Sequence, residues 1–363
     1  MLWFRRLNLA ATALCFVVVV FGAYVRLSDA GLGCPDWPGC YGLLTVPAAP
    51  HELAAAQKSF PQRPVEAPKA WKEMIHRYLA STLGLLILGL AVLSAVMRGR
   101  GLPEKLPWVL VGLVAFQGLL GKWTVTWQLK PLAVCGHLLG GMTTLALLLW
   151  MWLSLRSPSI DEASDDAIDR PVRSERHVML EMLRHENTGA SRAVPASHAV
   201  LRTLATIALA ALAMQIFLGG WTSSNYAALA CPDFPTCHGS YWPPMAAKEA
   251  FTLWRGLGIN YEHGVLDNRA RVTIHFAHRL GALVMAALGS LLVLLLGVQK
   301  SPRLRLFGIA LAGTLGIQVL LGISIVELQQ PLFLADMHNA GAAVLLLTLV
   351  TLNHFLWTEA RAN

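Results

Sequence analysis

Hydrophobic positions in this chain come in eight long, nearly unbroken runs, near 7–27, 71–97, 107–127, 131–153, 202–221, 271–298, 304–326 and 332–356. About 20 apolar residues are enough for a helix to cross a bilayer. Period-2 alternation is missing, so the runs read as helices rather than strands. Polar residues concentrate in three places: a loop at 28–70, a loop at 222–270, and a segment at 156–200. The pattern predicts an all-α integral membrane protein with eight transmembrane helices.

The runs fall into two sets of four, and the sequence repeats between them. Cys34-Pro-Asp-Trp-Pro-Gly-Cys40 recurs as Cys231-Pro-Asp-Phe-Pro-Thr-Cys237, and His76-Arg77 recurs as His278-Arg279. Gln117-Gly-Leu-Leu-Gly121 matches Gln318-Val-Leu-Leu-Gly322, and Gln215-Ile-Phe-Leu-Gly219 has the same form. The expected organisation is two tandem-repeated four-helix bundles: a first half over 1–155, a polar linker over 156–200, and a second half over 201–363. Four helices per half give copies of parallel topology. Arg5 and Arg6 ahead of the first run imitate a signal peptide. Because Gly22–Cys40 has a counterpart at Gly219–Cys237, the run is expected to stay as the first helix.

Charge sets the orientation. The chain of 363 residues is 55% hydrophobic, 14% charged, and carries a net +8. The 98–105 loop holds Arg98, Arg100 and Lys105, and the 299–305 loop holds Lys300, Arg303 and Arg305, whereas 327–331 has no Lys or Arg. The positive-inside rule then puts both termini in the cytoplasm of a cell with an inner (plasma) membrane, and the two long loops outside. Topology accounts for most of the positive charge, and no basic patch interleaved with aromatics points to nucleic acid. Acidic residues such as Asp161, Glu162 and Asp165, mixed with arginines, make the 156–200 segment read as a solvated linker. Outside loops permit disulfides, so Cys34–Cys40 and Cys231–Cys237 are expected to pair. Thiol exchange near a cofactor competes with simple stapling of the loop. Cys15 and Cys135 lie inside helical runs and read as buried thiols.

The chemistry rests on histidine. His76 and His137 are 61 residues apart, and His278 and His338 are 60 apart. Each lies one to two turns inside the outer end of an even-numbered run. A membrane histidine is costly and usually faces the bundle interior. One alone is best explained by an interhelical hydrogen bond. Four in register suggest two bis-histidine-ligated haems, with iron held by His76 and His137 in one half and by His278 and His338 in the other. Zinc wants four converging ligands, which neither half supplies. His275 lies three residues before His278, but the register pairs it with Glu73 and leaves His278 as the ligand. The Glu73/His275 difference is the main chemical asymmetry. Glu73 can handle protons beside a haem, or serve as an interfacial charge paired with Lys69, Lys72 or Arg77. Arg77 and Arg279 suit haem propionates, with snorkelling to lipid phosphates as the alternative. Gln117, Gln215 and Gln318 read as interhelical hydrogen-bonding residues rather than ligands. Gly84, Gly121, Gly140, Gly281 and Gly341 allow close approach of a helix or a porphyrin.

These motifs together resemble haem A synthases: the C-P-D-W-P-x-C loop, E-M-I-H-R in the second run, I-H-x-x-H-R-L-G in the sixth, and a histidine opening the fourth and eighth. The resemblance covers the chain apart from the 156–200 linker, which is longer than the family pattern requires. It implies an oxidoreductase that turns the C8 methyl of haem O into the formyl group of haem A, for aa3-type cytochrome oxidase. It further implies that His76 and His137 hold the substrate haem and that His278 and His338 hold a haem b. Glu73 matches a catalytic carboxylate, and Cys34 with Cys40 a functional loop pair. Haem O synthase and an electron donor are the implied partners, and a homo-oligomer is compatible with the pattern. The competing reading is a bis-histidine dihaem electron carrier or a haem chaperone, with no chemistry on the haem itself.

Overall fold

A computed structural model describes residues 2–155 and 196–362. Ten helices form among them: α1 (Leu2–Leu27), α2 (Pro50–Ser59), α3 (Ala67–Val96), α4 (Leu106–Thr126), α5 (Pro131–Ser154), α6 (His198–Ser224), α7 (Ala247–Ala250), α8 (Asn268–Gly297), α9 (Pro302–Glu327) and α10 (Leu332–Ala362). All but α2 and α7 are long and apolar enough to span a membrane, making this a multi-pass membrane protein. No β-strand forms among the described residues; the two isolated bridges, Cys40 to Leu43 and Cys237 to Ser240, lie in loops. Most of the expected linker, 156–195, lies outside the described residues.

Several helices start a few residues ahead of their apolar runs, and the reason is local. Proline occupies the first turn of α3, α4, α5 and α9, where its missing N–H costs nothing. The Asp267 carboxylate accepts from the Ala270 amide at 2.7 Å to cap α8, and Ser197 caps α6 in the same way. Helix α6 therefore begins at His198 rather than near residue 202. The short α4–α5 and α9–α10 turns each place two consecutive residues in the left-handed region, Gln128 with Leu129 and Gln329 with Gln330.

Packing runs α1–α3–α4–α5 with α5 returning to α1, and α6–α8–α9–α10 with α10 returning to α6. Helices α5 and α10 contact each other, α5 also touches α6, and α10 touches α1. One apolar core joins these elements, with Leu145, Leu148, Leu201, Ala205, Ala208, Leu349 and Leu356 all buried. Polar contacts tie α10 to α6 within the second ring and link α10 to α5 across the two rings. Asn353 Nδ2 donates to the Ala205 carbonyl at 3.0 Å, and His354 Nε2 lies 3.1 Å from Ser154 Oγ. Large apolar side chains such as Leu85, Leu283, Leu294 and Ile309 point outward, as a lipid-facing surface requires.

At the opposite end, the 225–267 loop reaches across to the α4–α5 turn. Lys130 is 1% exposed. Its ammonium sits 3.1 Å from the Trp254 ring centre and donates to the Gly256 carbonyl. The Tyr261 amide donates to the Gln128 carbonyl at 3.0 Å, and Arg63 pairs with Glu262 at 2.8 Å. A desolvated cation–π contact contributes about 2 kcal/mol. Lys130→Ala should therefore detach this part of the loop while leaving the helices packed. Limited proteolysis of the purified protein should show new cleavage around Trp254–Gly258; an unchanged digestion pattern would mean the lysine is not what holds the loop.

Candidate functional site

Helix geometry brings the four histidines into two facing pairs. The His76 and His137 ring centroids are 6.4 Å apart at an interplanar angle of 83°. Those of His278 and His338 are 6.5 Å apart at 80°. An iron bound by two imidazole nitrogens at about 2.0 Å, each roughly 1.1 Å from its ring centre, would set the centroids about 6.2 Å apart. Both pairs fit that span. Nδ1 of His76, His137 and His338 is buried without a hydrogen-bond partner. Among the described residues, no group of three or more His, Cys, Asp or Glu side chains could hold a metal ion. The arrangement suits a ligand that brings its own in-plane donors, as a porphyrin does.

Each ring rests on a glycine of the neighbouring helix. A Cβ at Gly22 would come within 2.8 Å of His76 Cε1, at Gly219 within 3.2 Å of His278, at Gly322 within 3.1 Å of His338, and at Gly121 within 3.5 Å of His137. Gln215 Nε2 donates to the His278 carbonyl at 3.0 Å and lies 3.1 Å from His278 Nδ1. Gln318 Nε2 donates to the His338 carbonyl at 3.0 Å and lies 3.3 Å from its Nε2. These two glutamines make the interhelical hydrogen bonds expected of them. A Cβ on Gly140, Gly281 or Gly341 would strike Gln117, Gln215 or Gln318 respectively, so these glycines admit a glutamine side chain.

One turn outward, both sites are tied to a cysteine loop. Cys34–Cys40 and Cys231–Cys237 are disulfides, while Cys15 and Cys135 are buried free thiols. Glu73 is 5% exposed. Its Oε2 accepts from the Cys34 amide at 2.9 Å and its Oε1 from Arg77 at 2.5 Å. Arg77 also donates to the Pro38 carbonyl at 3.2 Å and to that of Gly39. Around Cys231, His275 takes the place of Glu73: its Nδ1 lies 3.2 Å from the Cys231 amide nitrogen and its Nε2 3.2 Å from Arg279 Nε, and the neutral ring accepts at one of these nitrogens at a time. Arg279 donates to the carbonyls of Thr236 at 2.7 Å and Cys231 at 2.9 Å. His278 thus faces His338, and His275 faces the loop.

Sequence reasoning passed over the aspartate inside each cysteine motif. Asp36 accepts from the Tyr41 amide at 2.6 Å and the Gly42 amide at 2.7 Å. Asp233 accepts from the Thr236 hydroxyl and from the amides of His238 at 2.6 Å and Gly239 at 3.0 Å. The Thr236 hydroxyl, with these amides, holds the Asp233 carboxyl down at about 2. Gly42 and Gly239 occupy the left-handed region at φ 79° and 72°, which closes each loop. Its signal was legible in the pattern C-P-D-x-P-x-C followed two residues later by glycine.

With this geometry in hand, similarity to known proteins becomes specific. Residues 5–350 match the COX15-CtaA family of cytochrome oxidase assembly proteins. The chain belongs to that family. It is 46% identical over 361 residues to the heme A synthase of Shewanella oneidensis, covering 99% of this chain and 98% of that protein. The heme A synthase of Caulobacter vibrioides is 26% identical, over 92% of this chain and 90% of that one. That of Beijerinckia indica is 28% identical, over 92% and 87%.

Asp36→Ala or Asp233→Ala should leave its loop without the acceptor that preorganises it, so the two thiols meet less often. Non-reducing mass spectrometry should then find free Cys34 and Cys40, or free Cys231 and Cys237, in a measurable fraction of chains. Because the Asp233 carboxyl is depressed below its ordinary 3.8, its anchoring is complete above that value and lost as the pH falls through about 2. Amide exchange at His238 and Gly239 should accelerate over that acid range, and a flat response would reject the aspartate anchor.

Proposed function

We propose that this protein is a haem A synthase of the cell's inner (plasma) membrane, oxidising the C8 methyl of haem O to the formyl group of haem A. The observation that carries the reading is the pair of facing histidine couples, each at bis-imidazole spacing, in a family whose relatives are named heme A synthase. The recurring motifs and the two closed rings of helix contacts support a duplicated architecture, two tandem four-helix bundles, with the first half for substrate and the second for a resident haem b. Arginine and lysine in the 98–105 and 299–305 loops support cytoplasmic termini and haem sites toward the outer face.

When bound, the haems supply the iron redox chemistry. The chain's part is to grip, orient and handle protons. His76 and His137 would hold the substrate haem, and His278 and His338 the haem b. Glu73 is the carboxylate placed to accept a proton beside the first pair, one helical turn outward of His76. Its charge is balanced by Arg77 and its position set by the Cys34 amide, so the Cys34–Cys40 loop fixes where the proton acceptor stands. His275 supplies the same mechanical link in the second half without a carboxylate. Arg77 and Arg279 hold the loop carbonyls, and a guanidinium with five N–H donors retains some for haem propionates. Haem O synthase and an electron donor would be the partners that supply substrate and carry electrons. The dihaem-carrier alternative has no use for a buried carboxylate in one half alone.

Glu73→Gln keeps the shape and the contact to the Cys34 amide but removes the negative charge. Membranes carrying this variant should retain two haems per chain, accumulate haem O or a hydroxylated product, and contain at least tenfold less haem A on pigment extraction. His275→Ala should keep most of the haem A. Wild-type haem A in Glu73→Gln would reject the proton-handling role, and haem b alone at two per chain in the unaltered protein would favour the carrier.

A further inference from the structure

The two histidine sites differ at the mouth that leads from each toward its long loop. On α3, Lys72 lies four residues ahead of His76, one helical turn toward the loop and on the same face. A chain of ring contacts joins the two. The His76 and Phe21 ring centroids are 6.5 Å apart, those of Phe21 and Tyr24 are 5.8 Å apart, and the Lys72 ammonium stands 5.0 Å from the Tyr24 ring centre. Phe21 and Tyr24 belong to α1, beside the glycine that seats His76. Tyr24 and Lys72 are only half-buried. Glu73 takes Arg77 as its partner, and among the described residues Lys72 has no carboxylate of its own. The second half closes the same place. Counted back from His278 and from the cysteine motif, Lys72 becomes Ile274 and Tyr24 becomes Trp221. Both are buried, and Trp221 Nε1 donates to the Ala250 carbonyl of α7 at 2.9 Å. Ala250, Leu266 and Ala270 complete the plug. Helices α2 and α7 both start ten residues after the second cysteine of their loop (50−40 and 247−237). Yet α2 packs its Ala56 with Cys34, Cys40, Tyr41 and Met74, away from Tyr24 and Lys72.

We infer that Lys72 is a carboxylate-binding residue at the open mouth of the first site, holding a propionate of the haem that enters and leaves there, while Trp221 and Ile274 seal the mouth of the second. This rests on the proposed ligation of haem by the four histidines, and adds which site exchanges its haem and what grips it. A synthase must admit one haem and release another, so a buried plug over the substrate site would have to open in every turnover. A haem carries its two carboxylates on one edge, and a half-buried ammonium with no carboxylate of its own complements that charge. The cation–π contact of a partly exposed lysine is weak, whereas an ammonium–carboxylate hydrogen bond is charge-assisted and stronger. Lys72 therefore gains by turning from Tyr24 to an arriving carboxylate. Lipid phosphate offers the same charge and is the competing anion. The line of rings from Lys72 through Tyr24 and Phe21 leads inward to His76, which favours the haem.

Apomyoglobin reads the mouth, because it captures haem only after the haem has left the chain. The full chain, purified free of haem and reloaded with ferric protoporphyrin haem, should release it to excess apomyoglobin in two phases. The faster phase should be missing from His76→Ala. Lys72→Met should speed that phase about tenfold, as the loss of one charge-assisted hydrogen bond predicts, and leave the slower phase unchanged. Lys72→Arg, which keeps the charge, should release close to the original rate. The dimethyl ester of the same haem has no free carboxylate, so its release should be indifferent to Lys72→Met. Equal speeding of haem and ester would assign Lys72 to lipid phosphate or to packing. A faster phase unmoved by Lys72→Met, or one that survives in His76→Ala while the slower is lost, would remove it from the mouth; each of these results overturns the inference. Both phases persisting unchanged in His76→Ala would instead defeat the ligation reading itself, and the inference with it.

Discussion

Everything at the centre of this protein depends on how close a helix can come to the imidazole of its neighbour. Gly22, Gly121, Gly219 and Gly322 each bring backbone to within van der Waals reach of a histidine ring, and in three cases a methyl group would force that ring to shift. In a membrane, helices gain little from burying apolar surface against one another, because lipid is equally apolar, so close packing and interhelical hydrogen bonds decide the association. The glycine seats supply the first, and at His278 and His338 a glutamine supplies the second.

The long-loop end solves a different problem. A carboxylate inside a membrane helix is expensive unless it is paired and hydrogen-bonded. Glu73 meets both conditions, through Arg77 and the Cys34 amide, and those partners belong to or hold the disulfide loop. His275 and Arg279 reproduce the same lattice of contacts around Cys231 with a neutral ring where the carboxylate stands. The two disulfide loops are held by matching contacts that differ in the group at their centre. The loop is consequently part of the site, since the atom that fixes the Glu73 carboxylate is a backbone amide of the disulfide itself.

Arg77 and Arg279 sit beside His76 and His278 in sequence but turn their guanidinium groups toward loop carbonyls. Fork-shaped donors spread over three nitrogens can satisfy carbonyls at separated points of a tight, proline-containing loop, whereas the three donors of a lysine share one atom. Lys130 does the complementary task on the other loop, where a single buried ammonium lies against Trp254 and Trp127 and ties 225–267 to the α4–α5 turn.

Eight apolar helices are legible in composition alone, because bilayer thickness imposes a length on each of them. The sequence also made the four histidines stand out, since a costly polar group recurring at fixed spacing inside such helices needs a reason. Register between the motifs was enough to set Glu73 opposite His275 and to choose His278 over its neighbour as the candidate ligand. Only the packed helices show what no spacing could: which glycine faces which ring, that Gln215 and Gln318 donate to the carbonyls of His278 and His338, that arginine holds the cysteine loop, and that Asp36 and Asp233 fold it. Those facts depend on contacts between helices that are distant in the chain. A residue's chemistry is local and can be read from its letter, whereas its partner across a helix interface is fixed only when the rotation and depth of both helices are settled.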